Sequence, residues 1–364
     1  MPPDVTDAWS RFRPLLGRWC EIAARLPALA TALLVFALAL VLLREAVAPI
    51  GETLKRALHF DSPASALGFG WLFASLALSG SPVAAMALSF LDAGVLGPLQ
   101  AFAMISGSRL GAAFVVLLVG FVQVLRGRQR TLSLGAGLLS LLVTQTTYLA
   151  VLPLGFVLLG RVRWLPEWAA AAGPSPFERL LDPIVRLIER WVPGWGLVLL
   201  GAAALILSFR LFDRVIPELH LRESRVAGLN RLLFRPVVSF LIGALLTTLT
   251  MSVSISLGLL VPLSARGYVR QENIIPYIMG ANITTFDDTL LAAVLLGNPA
   301  GVSVVLVQMV SVGLVSFAIL FLAYRPYQRL LVRLASAIAA SPARLLLYLG
   351  AVFALPLTLV FGGF

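Results

Sequence analysis

The chain has 364 residues, of which 59% are hydrophobic and 12% are charged, and its mean hydropathy is +0.95. A soluble domain carries roughly a quarter of charged residues, so this composition excludes a water-soluble globule and predicts a polytopic membrane protein. The formal net charge of +11 comes almost entirely from arginines in short clusters between apolar segments, which indicates membrane topology rather than nucleic-acid binding. A single cysteine, Cys20, and two distant histidines exclude a disulfide framework and a Cys/His metal site.

The first elements of the chain are an interfacial segment, a membrane span and a hairpin. Residues 1–25 place four arginines among aromatic and aliphatic residues, a pattern typical of an amphipathic segment on an anionic membrane surface. Residues 26–43 are the first predicted span. Between residues 64 and 96, two apolar segments are each too short to cross the membrane, and they are separated only by Ser79, Gly80, Ser81 and Pro82. We therefore predict a re-entrant hairpin whose polar tip faces protein or a cavity.

The first half continues with two spans and a linker. Residues 98–125 are predicted to cross the membrane as a helix that is broken at Ser106, Gly107, Ser108 and Arg109. Residues 131–159 return and carry a polar patch, Thr144 to Tyr148, that we expect to face the interior of the bundle. The Pro-rich and Trp-rich residues 160–195 are the predicted external linker, with an amphipathic stretch at 177–191.

The second half follows the same order. After a span at residues 197–211, the sequence predicts a second hairpin at 237–263, a second broken helix at 273–296 and a span at 302–324. Residues 325–364 are then predicted to form a basic loop and one extra span without a counterpart in the first half. The loop is assigned from three arginines: Arg325, Arg329 and Arg333.

The two halves are copies of each other. A shift of 173 residues places Gly70 on Gly243 and, without any insertion, Ser79 on Ser252, Ser81 on Ser254 and Gly107 on Gly280. The basic clusters after residues 125, 211 and 324 are predicted to be cytoplasmic, so the two hairpins enter from opposite faces. The predicted fold is an all-α polytopic membrane protein of two inverted-topology repeats, residues 26–159 and 196–324.

The hairpin tips and helix breaks carry a resemblance to a known family. The second half reads Met251-Ser252-Val253-Ser254 at its tip, Gly280-Ala281-Asn282-Ile283-Thr284-Thr285 at its break, and Gly243-Ala244-Leu245-Leu246-Thr247 before both. The first half reads Leu78-Ser79-Gly80-Ser81 and Gly107-Ser108-Arg109-Leu110-Gly111. Over about residues 30–325 the chain resembles the sodium–phosphate cotransporter family, meaning the type II sodium-dependent phosphate cotransporters and their bacterial relatives. That family carries two inverted copies of a Q-S-S-S tip and a G-A-N-I-G-T-T break.

The chain departs from the family pattern at several of these positions. Neither tip has its Gln, and Arg109 stands where the first break usually has Asn. Ala112 and Ala113 replace both threonines of the first break, while Thr284 and Phe286 replace the second Gly and the second Thr of the other break. These departures leave the substrate and the ion stoichiometry open.

Four serines are the main predicted substrate ligands: Ser79, Ser81, Ser252 and Ser254. Short hydroxyls donate to phosphate oxygens without adding charge, and serine pairs at matched positions of both repeats favour this role over close helix packing. Gly107 and Gly280 join them because interrupted helices expose backbone N–H groups that suit an anion. Arg109 either complements the anion directly or forms a structural ion pair with Asp287 or Asp288.

The second break supplies the predicted ion-binding residues. Asn282, Thr284 and Thr285 offer amide and hydroxyl oxygens that suit Na⁺, and their alternative role is to cap the half-helix that follows. Asp287 and Asp288 are the other candidates, because ionisable groups within a span mark functional sites. Their repeat counterparts, Phe114 and Val115, are apolar, so the charge differs between the halves.

The resemblance implies a secondary transporter that carries inorganic phosphate or a similar small oxyanion together with Na⁺ by alternating access, without a cofactor. The alternative is a divergent, non-transporting membrane sensor or partner subunit, which the missing Gln and Thr residues favour. An enzyme is not expected, because no nucleophile–base pair or H-E-x-x-H motif occurs. We expect a bacterial inner-membrane location with the lipid bilayer as partner and no nucleic acid, and the sequence leaves homo-oligomer formation open.

Overall fold

A computed structural model of the chain describes residues 27–57, 60–127, 130–161, 176–192, 194–215, 235–253, 256–257 and 271–362. Within these residues all regular secondary structure is helical, and no β-strand occurs. Seven helical segments are long and apolar enough to cross a membrane, and three shorter apolar helices accompany them. The chain is therefore a multi-pass helical membrane protein, which confirms the prediction from composition.

The first half of the chain contains α1 (Pro27–Thr53), α2 (Pro63–Ala77), α3 (Ser81–Asp92), α4 (Pro98–Ala112), α5 (Phe114–Leu125) and α6 (Arg130–Arg161). The linker region contains α7 (Pro176–Glu189). The second half contains α8 (Gly194–Val215), α9 (Pro236–Thr250), α10 (Gln271–Thr284), α11 (Asp287–Leu295), α12 (Pro299–Ala318), α13 (Tyr324–Ala340) and α14 (Pro342–Phe361). Prolines begin many of these helices because the first turn needs no N–H donor from them.

The tips of the two hairpins share an unusual backbone conformation. Helix α2 ends at Leu78, whose φ is 54°, and α9 ends at Met251, whose φ is 48°. These are the only described residues other than glycine with positive φ, and the 173-residue shift places one on the other. A side chain in this left-handed region costs about 1–2 kcal/mol, so two matched instances indicate that the surrounding structure requires the turn. Residues 258–263, which are most of the return arm predicted for the second hairpin, lie outside the described residues.

The interruptions of the two broken helices lie later than predicted. Helix α4 runs without a break through Gly107 and Arg109 to Ala112, and the chain turns at Ala113. In the second half α10 runs through Gly280 to Thr284, and the turn is at Thr285 and Phe286. The prediction of a break at residues 106–109 is therefore wrong, because the small residues there serve close packing instead.

Glycines bring each hairpin arm into backbone contact with its broken helix. A Cβ on Gly107 of α4 would meet the carbonyl oxygen of Leu67 on α2, and a Cβ on Gly280 of α10 would meet that of Phe240 on α9. Gly70 and Gly243 face the carbonyls of Met104 and Tyr277 across the same two contacts. The two repeats therefore pack their central helix pairs in the same way, and only glycine fits at these points.

The basic residues after α12 lie on a helix rather than in the predicted loop. Helix α12 continues through a π-helical segment, Ile319–Ala323, into α13. Leu331, Ala335 and Ala339 recur every four residues on the buried face of α13, whereas the arginines at 325, 329 and 333 are exposed. This spacing is close to the period of an amphipathic helix, so the predicted loop is corrected to a helix with one buried face. The extra C-terminal helix, α14, packs against α2.

The glycine contacts give a direct test of the packing. Gly107→Ala and Gly280→Ala should each lower the free energy of unfolding by about 1–3 kcal/mol, because the added methyl group collides with a backbone carbonyl that cannot rotate away. Gly350→Ala is the control, since no atom lies within 4 Å of a Cβ at that helical position. Thermal or denaturant unfolding in detergent measures the difference. If both central variants unfold like Gly350→Ala, the close contact of these helices is wrong.

Candidate functional site

The two hairpin tips and the two helix interruptions enclose a common cavity, which we call the tip cavity. It contains about 420 Å³ of space not filled by protein atoms, including a part that opens to the surroundings. The described residues that line it come from both halves of the chain: Ser79, Gly80, Ser81, Arg109, Ala112, Ala113, Ser140, Thr144, Ser252, Val253, Leu257, Asn282 and Thr285.

Arg109 connects the two halves at the wall of this cavity. Its side chain is only 5% exposed. Nη1 donates to Thr285 Oγ1 at 3.0 Å and to Ser81 Oγ at 3.5 Å, and Nη2 donates to Thr289 Oγ1 at 2.6 Å. The guanidinium carbon lies 4.7 Å from the centre of the Phe286 ring, a distance at which the ring face attracts the cation. A residue of the first repeat is thus held mainly by the interruption of the second.

The charge of Arg109 is balanced by Asp288. Nη2 lies 3.3 Å from Asp288 Oδ1, and the Asp288 side chain is 3% exposed. Thr289 Oγ1 also donates to Asp288 Oδ1, at 2.8 Å. The neighbouring Asp287 instead accepts a hydrogen bond from Thr248 on α9. Of the two aspartates that the sequence offered as partners, the structure therefore pairs Arg109 with Asp288.

The ion pair leaves part of the guanidinium free. An arginine has five N–H donors, and a bidentate pair with a carboxylate would use two of them in parallel. Here a single oxygen of Asp288 is engaged, and the Nε of Arg109 is buried without a hydrogen-bond partner among the described residues. The contacts of Nη1 and Nη2 account for four of these donors, so Arg109 keeps its ion pair and retains one donor, Nε, for an anion, and the two predicted roles are compatible.

The predicted serines and the second break are mostly brought together. Ser79, Ser81 and Ser252 line the tip cavity, as do Asn282 and Thr285. Ser254 lies outside the described residues. The Asn282 side-chain amide donates to Thr144 Oγ1 at 3.3 Å, which fixes the amide between α10 and α6. Hydroxyls and amides from three regions that are distant in sequence thus face one space.

Besides Asp287 and Asp288, three predicted site residues lie outside the described lining of the tip cavity. Gly107 and Gly280 are not among the described lining residues, because they lie in the backbone contacts between α4 and α2 and between α10 and α9. Thr284 also lies outside the lining set, and its hydroxyl donates to the Ala244 carbonyl at 2.9 Å. In this structure these residues contact the neighbouring helices, and the ligand role assigned to them from the sequence stays a prediction.

The structure adds Ser140 and Thr144 of α6 to the site. They are one helical turn apart and therefore share a face, which lies against the tip cavity. The polar patch predicted to face the bundle interior began at Thr144, and extending the same four-residue spacing backwards would have found Ser140. Arg109 is the only charged residue among the described lining residues, so the cavity is hydroxyl-rich with one positive charge.

Comparisons of the chain with family models, with curated proteins and with solved structures found no match. The resemblance carried by the tips and breaks therefore stays an expectation.

The ion pair is testable through the stability of paired variants. Arg109→Gln should lower the free energy of unfolding by about 3–5 kcal/mol, because it leaves Asp288 buried without its partner. Adding Asp288→Asn should recover much of that loss, whereas adding Asp287→Asn, the matched control one residue away, should recover little. Thermal unfolding in detergent of the single and double variants measures this difference. Equal recovery by both asparagines would contradict the assigned pairing.

Proposed function

We propose that this protein is a secondary transporter that carries a small oxyanion, with inorganic phosphate as the first candidate, together with Na⁺. The supporting observation is the tip cavity, where hydroxyls from both repeats surround one face of the buried Arg109. Guanidinium and hydroxyl donors are the groups that bind phosphate-like anions in proteins. A bulky apolar substrate is not favoured, because most described lining residues are Ser, Thr, Gly or Ala.

The repeated architecture favours transport over simple binding. We propose that the two hairpins are re-entrant and enter from opposite faces, since α2, α3 and α9 are apolar but too short to cross comfortably. Substrate sites of transporters with inverted repeats lie between the repeats, where interrupted helices meet. Small movements of one repeat against the other would then open the tip cavity to either side in turn.

The charge balance favours a coupling cation. Asp288 already neutralises Arg109, so a bound oxyanion adds negative charge that no other described lining residue balances. An uncompensated charge in a membrane interior is costly. Binding a cation at the same time removes that cost, which is a physical reason for symport.

Uptake into proteoliposomes tests the proposal. The full chain reconstituted in vesicles should accumulate radiolabelled phosphate when an inward Na⁺ gradient is imposed, and accumulation should collapse without it. Uptake should also be absent from vesicles that contain Arg109→Gln with Asp288→Asn, a double variant expected to fold but to lack the guanidinium. Phosphate binding without any uptake by the unmodified chain would instead support the non-transporting sensor. Uptake that persists in the double variant would remove Arg109 from the anion site.

The tip serines should contribute measurably to anion affinity. Ser79→Ala and Ser81→Ala should each weaken phosphate binding, because a hydrogen bond to a charged group contributes about 1.5–3 kcal/mol, or roughly a tenfold to hundredfold change. Ser75→Ala is the matched control, since that hydroxyl is buried on α2 and donates to the Trp71 carbonyl away from the cavity. Isothermal titration with phosphate in detergent measures the affinities. Equal affinities for all three variants and the parent chain would exclude the first tip from the site.

A further inference from the structure

A second cavity lies beside the tip cavity and has the opposite charge. It contains about 290 Å³ of space not filled by protein atoms, including a part that opens to the surroundings, and we call it the acidic cavity. Asp213 at the end of α8 and Asp288 on α11 line it, and none of its described lining residues is basic. The remaining lining residues are Phe36, Phe209, Phe212, Thr250, Met251 and Leu291.

One of the two carboxylate oxygens of Asp288 is available to a ligand in this cavity. Arg109 and Thr289 both bond to its Oδ1, whereas its Oδ2 is buried without a hydrogen-bond partner among the described residues. A buried carboxylate oxygen without a hydrogen-bond partner destabilises the folded protein, so we expect this oxygen to bind a ligand. The second carboxylate, that of Asp213, accepts a hydrogen bond from Ser252. It lies close enough to Asp288 for the two negative charges to repel each other.

The described residues that line the acidic cavity carry a net negative charge. Arg109 neutralises Asp288 from outside this cavity, and none of the described lining residues supplies a cation for Asp213. The C-terminus of α9 adds to this, because Thr250 and Met251 stand where the helix presents its last carbonyls and the negative end of its dipole. Carboxylate and carbonyl oxygens at a helix C-terminus are suitable ligands for Na⁺.

The first repeat has no equivalent of this site. The 173-residue shift places Asp213 on Leu40 and Asp288 on Val115, both of them apolar. The repeat architecture therefore forms without acids at these two positions. Their joint presence in the second half, facing one cavity, indicates a role other than folding.

We propose that the acidic cavity is the site of the coupling cation, and that Asp213 and Asp288 bind Na⁺ together with oxygens at the C-terminus of α9. This inference rests on the proposed function and adds Asp213, which nothing in the sequence motifs assigns. Asp288 is shared between the cation and Arg109. A cation at Oδ2 withdraws negative charge from the ion pair, so Arg109 binds an anion more readily when the acidic cavity is occupied. By linkage, the anion favours the cation in the same degree.

Na⁺ binding to the full chain in detergent tests the inference without requiring transport. Thermal unfolding is followed while NaCl replaces choline chloride or KCl at constant ionic strength, with no phosphate present. Na⁺ should raise the unfolding temperature of the parent chain, because a ligand of the folded state stabilises it. Asp213→Asn should shift the half-maximal Na⁺ concentration upward by about tenfold or more, because affinity depends on the number of charged ligands.

Asp182→Asn on α7 is the matched control. Its carboxylate is exposed, lies away from both cavities and pairs loosely with Arg186, so its loss should leave the Na⁺ dependence unchanged. If Asp213→Asn does not fold, Asp213→Leu provides the second variant, because it introduces the residue of the equivalent first-repeat position. That variant should also lose the Na⁺ response.

The outcomes separate this inference from the proposed function. An Na⁺ response that is unchanged in the Asp213 variants, or a parent chain that responds to pH and not to Na⁺, overturns the assigned cation site even if phosphate uptake is found. An Na⁺ response that depends on Asp213 supports the site even if the chain transports nothing.

Discussion

The buried contact between Arg109 and Asp288 is the interaction on which the rest of the site depends. It joins a helix of the first repeat to the interruption of the second, at a place where both side chains are 5% exposed or less. Neither charge could stay buried alone, so the two halves must approach until the pair forms. That approach also sets the tip cavity on one side of the pair and the acidic cavity on the other.

The scaffold around this contact is symmetric, whereas its chemistry is not. Matched glycines bring α2 to α4 and α9 to α10, and the matched left-handed residues Leu78 and Met251 turn both tips. The three charged residues at the two cavities have no charged counterpart in the other repeat. Arg109 lies in the first repeat, and Asp213 and Asp288 lie in the second. Two similar halves therefore present different surfaces to a shared interior, with a positively charged residue at the tip cavity and carboxylates at the acidic cavity.

Patterns that depend on hydrophobic runs were predictable from the sequence. The two apolar arms predicted between residues 64 and 96, on either side of Ser79 to Pro82, are α2 and α3, because apolar length and flanking Ser and Pro define such helices. The helix breaks were predicted at the wrong positions because a glycine in a sequence can mark either a flexible point or a close contact between helices. Which of the two applies depends on the neighbouring helix. The basic loop was predicted to begin at residue 325 because of its arginines, although the apolar period there indicates a helix. Asp213 was missed because it lies between Arg210 and Arg214, which suggested a membrane boundary rather than a cavity wall.

The binding of an oxyanion in the tip cavity against Arg109, which we propose, can be observed directly. Crystals grown with Na⁺ and arsenate, a phosphate analogue with a usable X-ray absorption edge, would locate the anion by its anomalous scattering. We expect one anomalous peak in the tip cavity, within hydrogen-bond distance of the Arg109 guanidinium and of the serines at the first tip. An anomalous peak elsewhere, with the tip cavity filled by side chains and Arg109 engaged only by the second repeat, would contradict it.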